Sequence, residues 1–224
     1  MRLRNSAGNV RLGCESPRLP DRETVSSNPN LIAVLALCVV IVCWCAFAAI
    51  FLLRKKPPRE AEAKRDNVSK VGITLHACSF ALVWFHRPGA PFLPYAETWP
   101  VSVEIALALF AVVLAAGSVW LVRSAVRRLG KQWAYAARLV EGHKLVTEGP
   151  YRYVRNPIYT GMLGMLVATG LALQHWIQLA VGIALFAIGT LIRVRSEEKL
   201  LRAAFGKEFE DYSERVPAVL PGIF

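Results

Sequence analysis

The feature that most constrains this chain is a run of 23 residues, Leu31 to Leu53, without a charged or strongly polar side chain. A helix of about 20 apolar residues crosses the hydrocarbon core of a bilayer. The apolar core of a signal peptide is shorter, and no small-residue cleavage site follows this run. The run therefore predicts a transmembrane helix, which ends at Lys55, Lys56 and the two prolines behind them.

Four further apolar runs follow the first one. They are Val71–Phe85, Trp99–Val122, Pro157–Leu173 and Trp176–Ile192. We interpret His76 as a hydrogen-bonded interior residue and expect Glu104 to reach the membrane interface with its carboxylate. Only Gln174 and His175 separate the last two runs, which predicts a tight helical hairpin. The sequence thus predicts an all-α integral membrane bundle of five transmembrane helices.

Small residues recur at regular spacing in the last two runs. Gly164 and Ala168 lie four residues apart, and Gly182 and Gly189 lie seven apart. Such spacing places small side chains on one helix face, where they let a neighbouring helix approach closely. Close packing explains them without any ligand.

The net charge of +11 is concentrated in the segments between the apolar runs. Arg54–Lys70 holds seven Lys or Arg residues, Arg123–Arg155 holds eight and the chain from Arg193 onward holds six. The segment His86–Thr98 holds one, and the turn at 174–175 holds none. Basic segments stay on the cytoplasmic side of a membrane. This pattern predicts an N-terminus outside and a cytoplasmic C-terminus, and it argues against nucleic acid as a partner.

Residues 1–30 differ from the rest of the chain. They carry five arginines and three acidic residues and are rich in Pro, Ser and Asn. We predict that they form a disordered N-terminal extension and that residues 31–224 form one membrane domain. The five cysteines show no CxxC pair or Cys/His spacing, so we predict no metal site.

A polar segment before the fourth run has the character of a structured loop. Gly149-Pro150 indicates a turn, and Asn156-Pro157 is typical of a helix N-cap followed by the first helical residue. The loop would deliver three side chains to the start of a helix, whose free amides attract an anionic group. These side chains are Tyr151, Arg152 and Arg155. The alternative is that both arginines merely flank a span and contact lipid phosphates.

A second charged cluster follows the fifth run. Arg193 and Glu197 are one helical turn apart, so they form either a simple salt bridge or part of a charged pocket at the mouth of the bundle. Behind them, Lys199–Tyr212 predicts one C-terminal amphipathic helix. Its apolar stripe consists of Leu201, Phe205, Phe209 and Tyr212.

Two motifs and the hairpin between them carry a resemblance to a known family. The first motif is Leu145-Val-Thr-Glu-Gly-Pro-Tyr-Arg-Tyr-Val-Arg-Asn-Pro-Ile-Tyr-Thr-Gly161. The second comprises Glu197-Glu198 and Phe205-Gly-Lys-Glu-Phe-Glu-Asp-Tyr-Ser-Glu-Arg-Val-Pro217. In this order they resemble the isoprenylcysteine carboxyl methyltransferase family, which is allied to the phospholipid methyltransferases. The resemblance covers about residues 130–224 closely, and these would form the cofactor half of the domain.

The resemblance implies a membrane enzyme that binds S-adenosyl-L-methionine in a cytoplasmic loop without a Rossmann domain. It also implies that Arg193 faces the carboxylate of a lipophilic or prenylated acceptor in the membrane. The residues it implies for the cofactor are His143, Lys144, Leu145, Val146, Tyr151, Asn156, Pro157, Ile158, Tyr159 and Glu197. The family usually has His where this chain has Asn156, and Asn does not titrate near neutral pH, which excludes a proton-handling role there.

Three functions stay open on the sequence. The first is methylation of the carboxylate of an isoprenylcysteine or a related molecule, in which an anionic nucleophile needs no general base. The second is methylation of a small thiol or a phospholipid amine on the same scaffold. The third is a non-catalytic membrane relative that retains the scaffold, which need not bind S-adenosyl-L-methionine.

Overall fold

The computed structural model describes residues 30–53, 64–65, 69–85, 99–130, 138–139 and 145–220. Six α-helices account for most of them. The helices are α1 (Leu31–Leu52), α2 (Ser69–Trp84), α3 (Val101–Leu129), α4 (Pro157–Leu173), α5 (Trp176–Phe205) and α6 (Lys207–Arg215). Two-residue strands β1 (Lys64–Arg65) and β2 (Arg138–Leu139) pair antiparallel, and a 3-10 turn spans Gly149–Arg152. The prediction of an all-helical chain is confirmed for the described residues, apart from this short strand pair.

Three helices, α1, α3 and α5, are long and apolar enough to cross a membrane. The apolar helices α2 and α4 are shorter, with 16 and 17 residues. Many large apolar side chains on the outside of the bundle are exposed, among them Val113 and Trp120 on α3. Exposed apolar surface of this extent suits contact with lipid and not with water. The chain is an integral membrane protein.

Helix α4 lies at the centre of the bundle. It packs against α1 and α3 on one side and against α2 and α5 on the other. Each residue from Pro157 to Leu173 is buried or half-buried. A helix that is apolar all round is stable only where other elements surround it. This central position brings the first turn of α4 against the part of α5 that carries Arg193 and Glu197.

The hairpin between α4 and α5 is as tight as predicted. Gln174 has φ of 54°, in the left-handed region, and ends α4. Its backbone N–H bonds to the carbonyls of Gly170 and Leu171, and α5 begins at Trp176. The left-handed residue satisfies the last carbonyls of α4 and reverses the chain.

The prediction of one amphipathic helix over Lys199–Tyr212 is wrong. Helix α5 continues past Ile192 to Phe205, and α6 starts only at Lys207. Gly206 between them has φ of 52°, a conformation that glycine adopts without steric cost. The break turns α6 so that Phe209 and Tyr212 pack back toward Leu145 on the polar loop.

Asn30 and Glu104, near the starts of α1 and α3, differ from expectation. Asn30, assigned to the N-terminal extension, caps α1 because its Oδ1 accepts from the backbone N–H of Ile32 at 3.0 Å. Residues 1–29 lie outside the described residues. Glu104 is buried within the protein: it is 5% exposed in the first turn of α3, where the helix dipole favours a negative charge.

The small residues serve close helix packing, as predicted. A Cβ atom built on Gly164 would lie 2.1 Å from Oγ of Ser118 on α3. One built on Gly182 would lie 3.0 Å from Cγ2 of Val83 on α2. Real Cβ atoms do not tolerate the first distance, so α3 and α4 can approach this closely only because residue 164 has no side chain.

We predict that Gly164→Ala lowers the free energy of unfolding in detergent by about 1–3 kcal/mol, because overpacking forces neighbouring atoms apart. The nearest atom is Oγ of Ser118, so the double variant Gly164→Ala/Ser118→Ala should recover much of the loss. Gly117→Ala serves as the control, since a Cβ there meets nothing within 4 Å. Unfolding in denaturant gives the stability of each variant. Equal destabilisation by the two single glycine substitutions would contradict this packing.

Candidate active site

Three side chains from α4 and α5 meet near the start of α4. The Tyr159 hydroxyl donates a hydrogen bond to Oε1 of Glu197 at 2.5 Å. Nη2 of Arg193 donates to the same oxygen at 2.9 Å, and its Nε donates to the Tyr159 hydroxyl. The guanidinium carbon also lies 5.4 Å from the centre of the Tyr159 ring. We refer to Tyr159, Arg193 and Glu197 as the charged cluster.

Burial makes this cluster more than a surface ion pair. The Arg193 side chain is 7% exposed, and that of Glu197 is 26% exposed. Charges at such a position need hydrogen-bonding partners, because desolvation is costly. Both hydrogen bonds received by Glu197 from described residues end on Oε1. Oε2 of Glu197 receives no hydrogen bond from the described residues.

A second ion pair lies beside the cluster. The Arg155 guanidinium contacts Oε1 of Glu198 through Nη2 at 2.8 Å and Nε at 3.0 Å. Its Nη1 donates to the carbonyls of Ser213 at 2.6 Å and Val216. Arg155 thus links α5 to the chain behind α6. These contacts engage Nε, Nη1 and Nη2 of Arg155 within the protein.

The C-terminal segment covers the start of α4. The backbone N–H of Arg155 donates to Pro217 O, and that of Asn156 donates to Ala218 O, both at 2.9 Å. Thr160 Oγ1 donates to the carbonyl of Val219. These contacts place Val216–Val219 as a wall along the first turn of α4, which sequence reasoning did not foresee. No local sequence pattern predicts the packing of this segment along α4.

Asn156 precedes α4 and Pro157 is its first residue, as predicted, but the Asn156 side chain does not cap the helix. Its Nδ2 donates to Ala218 O at 3.0 Å, and its side chain makes no cap hydrogen bond. The backbone N–H groups of Tyr159 and Thr160 bond instead to the Asn156 carbonyl. The start of α4 therefore offers fewer open amides to an anion than the sequence suggested, because the C-terminal segment and the first turn already use them.

Tyr151 is buried under α6. Its carbonyl accepts a hydrogen bond from the Tyr212 hydroxyl at 2.6 Å. Burial raises the pKa of Tyr212 to about 12, against which the charge of Arg155 acts in the lowering direction. Arg152, in contrast, is exposed. The polar loop is thus fixed on its inner side by α6, and of Tyr151, Arg152 and Arg155 only Arg152 is exposed.

The other predicted cofactor residues are distributed around the same end of α4. Leu145 packs with Phe209, Tyr212 and Val216, and Val146 is half-buried. Pro157 is buried at the start of α4, and Ile158 packs against the main core. His143 and Lys144 lie outside the described residues. Among the described residues, no group of three His, Cys, Asp or Glu side chains could hold a metal.

Helix α2 supplies a side of the site that the sequence did not indicate. His76 is buried, its Nε2 lies 2.9 Å from Oγ1 of Thr190, and its ring stacks on Phe186 at 4.4 Å. The His76 and Tyr159 rings are 5.6 Å apart. The interior, hydrogen-bonded role predicted for His76 is confirmed. The buried positions 72, 76, 79 and 83 lie on one face of α2, and this spacing was the available signal.

Comparison with known proteins identifies the family of this chain. A rice protein (Oryza sativa subsp. indica) named "Probable protein-S-isoprenylcysteine O-methyltransferase" is 30% identical over 168 residues, which cover 71% of this chain and 84% of the rice protein. The chain belongs to the isoprenylcysteine carboxyl methyltransferase family. The resemblance drawn from the two motifs is thereby confirmed.

Three further matches were found. The family model described as "Phospholipid methyltransferase" matches residues 106–208, which include the charged cluster of this methyltransferase-family protein. "Protein-S-isoprenylcysteine O-methyltransferase B" of Arabidopsis thaliana is 32% identical over 102 residues, 44% of this chain and 51% of its own. "Nickel-cobalt-cadmium resistance protein NccN" of Alcaligenes xylosoxydans xylosoxydans is 36% identical over 129 residues, 56% of this chain and 53% of its own.

We predict that Arg155→Ala lowers the free energy of unfolding by at least about 1.5–3 kcal/mol, because it leaves Glu198 and two carbonyls without their charged donor. Hydrogen exchange of residues 213–219 should also become faster. Arg152→Ala, which removes an exposed arginine from the same loop, is the control and should leave both quantities unchanged. Unaltered exchange in Arg155→Ala would show that the arginine does not hold the C-terminal segment.

Tyr212 allows a test of the link between α6 and the loop through pH. A tyrosine whose pKa is raised on folding stabilises the protein below the unfolded value, about 10, and this stabilisation is lost as pH rises toward 12. We therefore predict that unfolding measurements between pH 9 and 12 give a steeper loss of stability for the wild type than for Tyr212→Phe. Tyr153→Phe, at an exposed position, should keep the wild-type slope; a wild-type slope in Tyr212→Phe would refute the assignment.

Proposed function

We propose that this protein transfers a methyl group from S-adenosyl-L-methionine to the carboxylate of a lipophilic acceptor, an isoprenylcysteine or a related molecule. The observation that carries the proposal is the charged cluster, a buried arginine and a carboxylate joined by Tyr159 at one end of an apolar helix bundle. The names of the rice and Arabidopsis relatives give the same acceptor class. A greasy acceptor would lie among the apolar helices with its polar end at the cluster.

The donor set at the cluster suits the proposed cofactor. S-adenosyl-L-methionine supplies an electrophilic methyl group on a sulfonium, together with an amino group that a carboxylate can pair with. Oε2 of Glu197 is suited to such an amino group, because the two hydrogen bonds from Tyr159 and Arg193 use Oε1. The other residues proposed to hold the cofactor are His143, Lys144, Leu145, Val146, Tyr151, Asn156, Pro157, Ile158 and Tyr159.

Arg193 is proposed to hold the acceptor carboxylate. Tyr159 and Glu197 orient its guanidinium before any ligand binds, and a guanidinium can bind a carboxylate with two parallel hydrogen bonds. The acceptor is already an anion, so the reaction needs no general base. A carboxylate oxygen forms the bond to the methyl carbon as the bond from carbon to sulfur breaks, and the sulfonium charge and the carboxylate charge cancel. Catalysis then comes from positioning and from exclusion of water.

The proposed membrane arrangement has five spans, formed by α1 to α5. The three basic segments would lie in the cytoplasm, together with the charged cluster and the C-terminus, and the N-terminus would lie outside. The short helices α2 and α4 would cross with the help of their flanking residues. This arrangement would give the cofactor access from the cytoplasm and the acceptor access from the bilayer.

A phospholipid amine is the second candidate acceptor, and the family model that matches residues 106–208 favours it. An amine must lose a proton, and Glu197 and Glu198 are the obvious bases near the site. Each is engaged with an arginine, Arg193 or Arg155. Methyl transfer from labelled cofactor to a panel of prenylcysteine, thiol and lipid acceptors distinguishes these functions, and a protein that binds no cofactor would be a non-catalytic relative.

We predict that Arg193→Lys lowers turnover of a prenylcysteine acceptor roughly 10–150-fold, because a charge-assisted contact is worth about 1.5–3 kcal/mol and lysine offers no fork. Cofactor affinity, measured by calorimetry, should hardly change. Arg195→Lys is the matched control, since Arg195 lies on the same helix but is exposed. Full activity of Arg193→Lys on the carboxylate acceptor would exclude the proposed clamp.

The topology leads to a separate prediction. Reporter domains fused after residues 62 and 224 should report from the cytoplasm, and one fused after residue 92 should report from outside. The reason is the distribution of Lys and Arg among the segments. A reporter at residue 92 that is active in the cytoplasm would contradict the five-span arrangement.

A further inference from the structure

The packing of α2 on α5 depends on two glycines that face each other beside the charged cluster. A Cβ atom on Gly72 would lie 2.7 Å from the carbonyl oxygen of Gly189, and one on Gly189 would lie 3.0 Å from the carbonyl oxygen of Gly72. Both atoms met are backbone atoms, which cannot rotate away. The two helix backbones therefore approach at this point more closely than any side chain larger than hydrogen allows.

The stem of Arg193 occupies the space next to Gly72. A Cβ atom on Gly72 would lie 2.4 Å from Cγ of Arg193 and 3.2 Å from its Cδ. Cγ lies close to the backbone of α5, so it has little freedom to move. The missing side chain of residue 72 thus leaves the room through which the arginine extends to Tyr159 and Glu197.

We infer that Gly72 is a positioning residue for Arg193: it sets the path of the arginine stem and hence the place of the guanidinium in the charged cluster. The three residues of the charged cluster lie on α4 and α5, so none of them supports the Arg193 stem on the side that faces α2. Among the described residues the guanidinium donates to Tyr159, which is buried, and to Glu197, which is half-buried. A shift of the stem by a few tenths of an ångström would therefore misalign both hydrogen bonds at once.

The first test reads the position of Arg193 without any assay of activity. Phenylglyoxal modifies accessible arginines, and peptide mass spectrometry gives the rate at each position. Arg193 is 5% exposed in the wild type, whereas Arg195 and Arg202 on the same helix are exposed and serve as internal standards. We expect Gly72→Ala to increase the rate at Arg193 by about tenfold relative to these standards, the factor that corresponds to a typical cost of overpacking.

Two glycine variants control for helix packing in general. Gly182→Ala also places a Cβ in the α2–α5 interface, 3.0 Å from Cγ2 of Val83, but about 16 Å along α5 from Arg193. Gly117→Ala places a Cβ in open space. Both should leave the rate at Arg193 unchanged. An unchanged rate in Gly72→Ala, or an equal increase in Gly182→Ala, would overturn the inference.

Activity gives the second readout, which rests on the proposed function. With a carboxylate acceptor, kcat/KM for the acceptor should fall about tenfold in Gly72→Ala while cofactor affinity stays within about twofold. The loss should not add to that of Arg193→Ala in the double variant, because both act through one guanidinium. Multiplicative losses would overturn the positioning role.

The two readouts separate the two hypotheses. A wild type that methylates no carboxylate acceptor refutes the proposed function, whereas the phenylglyoxal rates still decide the role of Gly72. If Gly72→Ala does not fold, Gly189→Ala replaces it, since its contacts at 3.0 Å require smaller shifts. It should raise the labelling rate at Arg193 above that of Gly182→Ala, and equal rates would overturn the inference.

Discussion

The guanidinium of Arg193 lies among three helices, and the arrangement around it follows from the need to pair its charge. A charge removed from water is tolerated only with close, well-aligned partners. Tyr159 supplies an acceptor from α4, and Glu197 supplies a negative charge from the next turn of α5. Removal of one partner of such a buried pair typically costs about 3–5 kcal/mol. The cluster therefore fixes how the first turn of α4 sits against α5.

The central helix α4 transmits this constraint to the rest of the bundle. The glycines of α4 allow α3 to pack closely on one side. On the other side, Gly72 and Gly189 allow α2 and α5 to pack closely against each other. The C-terminal segment then closes the end of α4 through backbone hydrogen bonds, with Arg155 as its anchor. Two arginines, Arg155 and Arg193, thus have different tasks: one holds the wall of the site, and the other is proposed to bind the acceptor. Both arginines lie near one end of an apolar run, and the sequence alone does not distinguish their tasks.

The sequence predicts the parts of this protein that depend on local pattern. Apolar runs, small residues and turn residues gave the helices and the tight hairpin, because a membrane imposes length and composition directly. The helix break at Gly206 was missed because the apolar stripe continues across it, and only the backbone conformation reveals the turn. The burial of Glu104 was missed because sequence distance from the end of a span does not tell which face of the helix a residue occupies.

Part of the candidate site was also predicted from the sequence. Glu197 and Tyr159 lie in the two motifs, and the resemblance to the family also implied Arg193, one helical turn before the second motif. The role of Asn156 was misjudged, because a residue in front of a helix looks like an N-cap until a distant segment competes for its side chain. The contributions of Gly72 and Val216–Val219 come from other parts of the chain. Long-range contacts of this kind leave no local signal.

Cross-linking with labelled cofactor tests the central claim most directly, that methyl transfer takes place at the charged cluster. The wild-type protein in detergent is irradiated with methyl-labelled S-adenosyl-L-methionine, and the labelled peptides are mapped. The account predicts label within residues 143–160 or 193–198, and loss of that label when excess S-adenosylhomocysteine is present. Label confined to other segments, or label in these segments that S-adenosylhomocysteine does not displace, would contradict it.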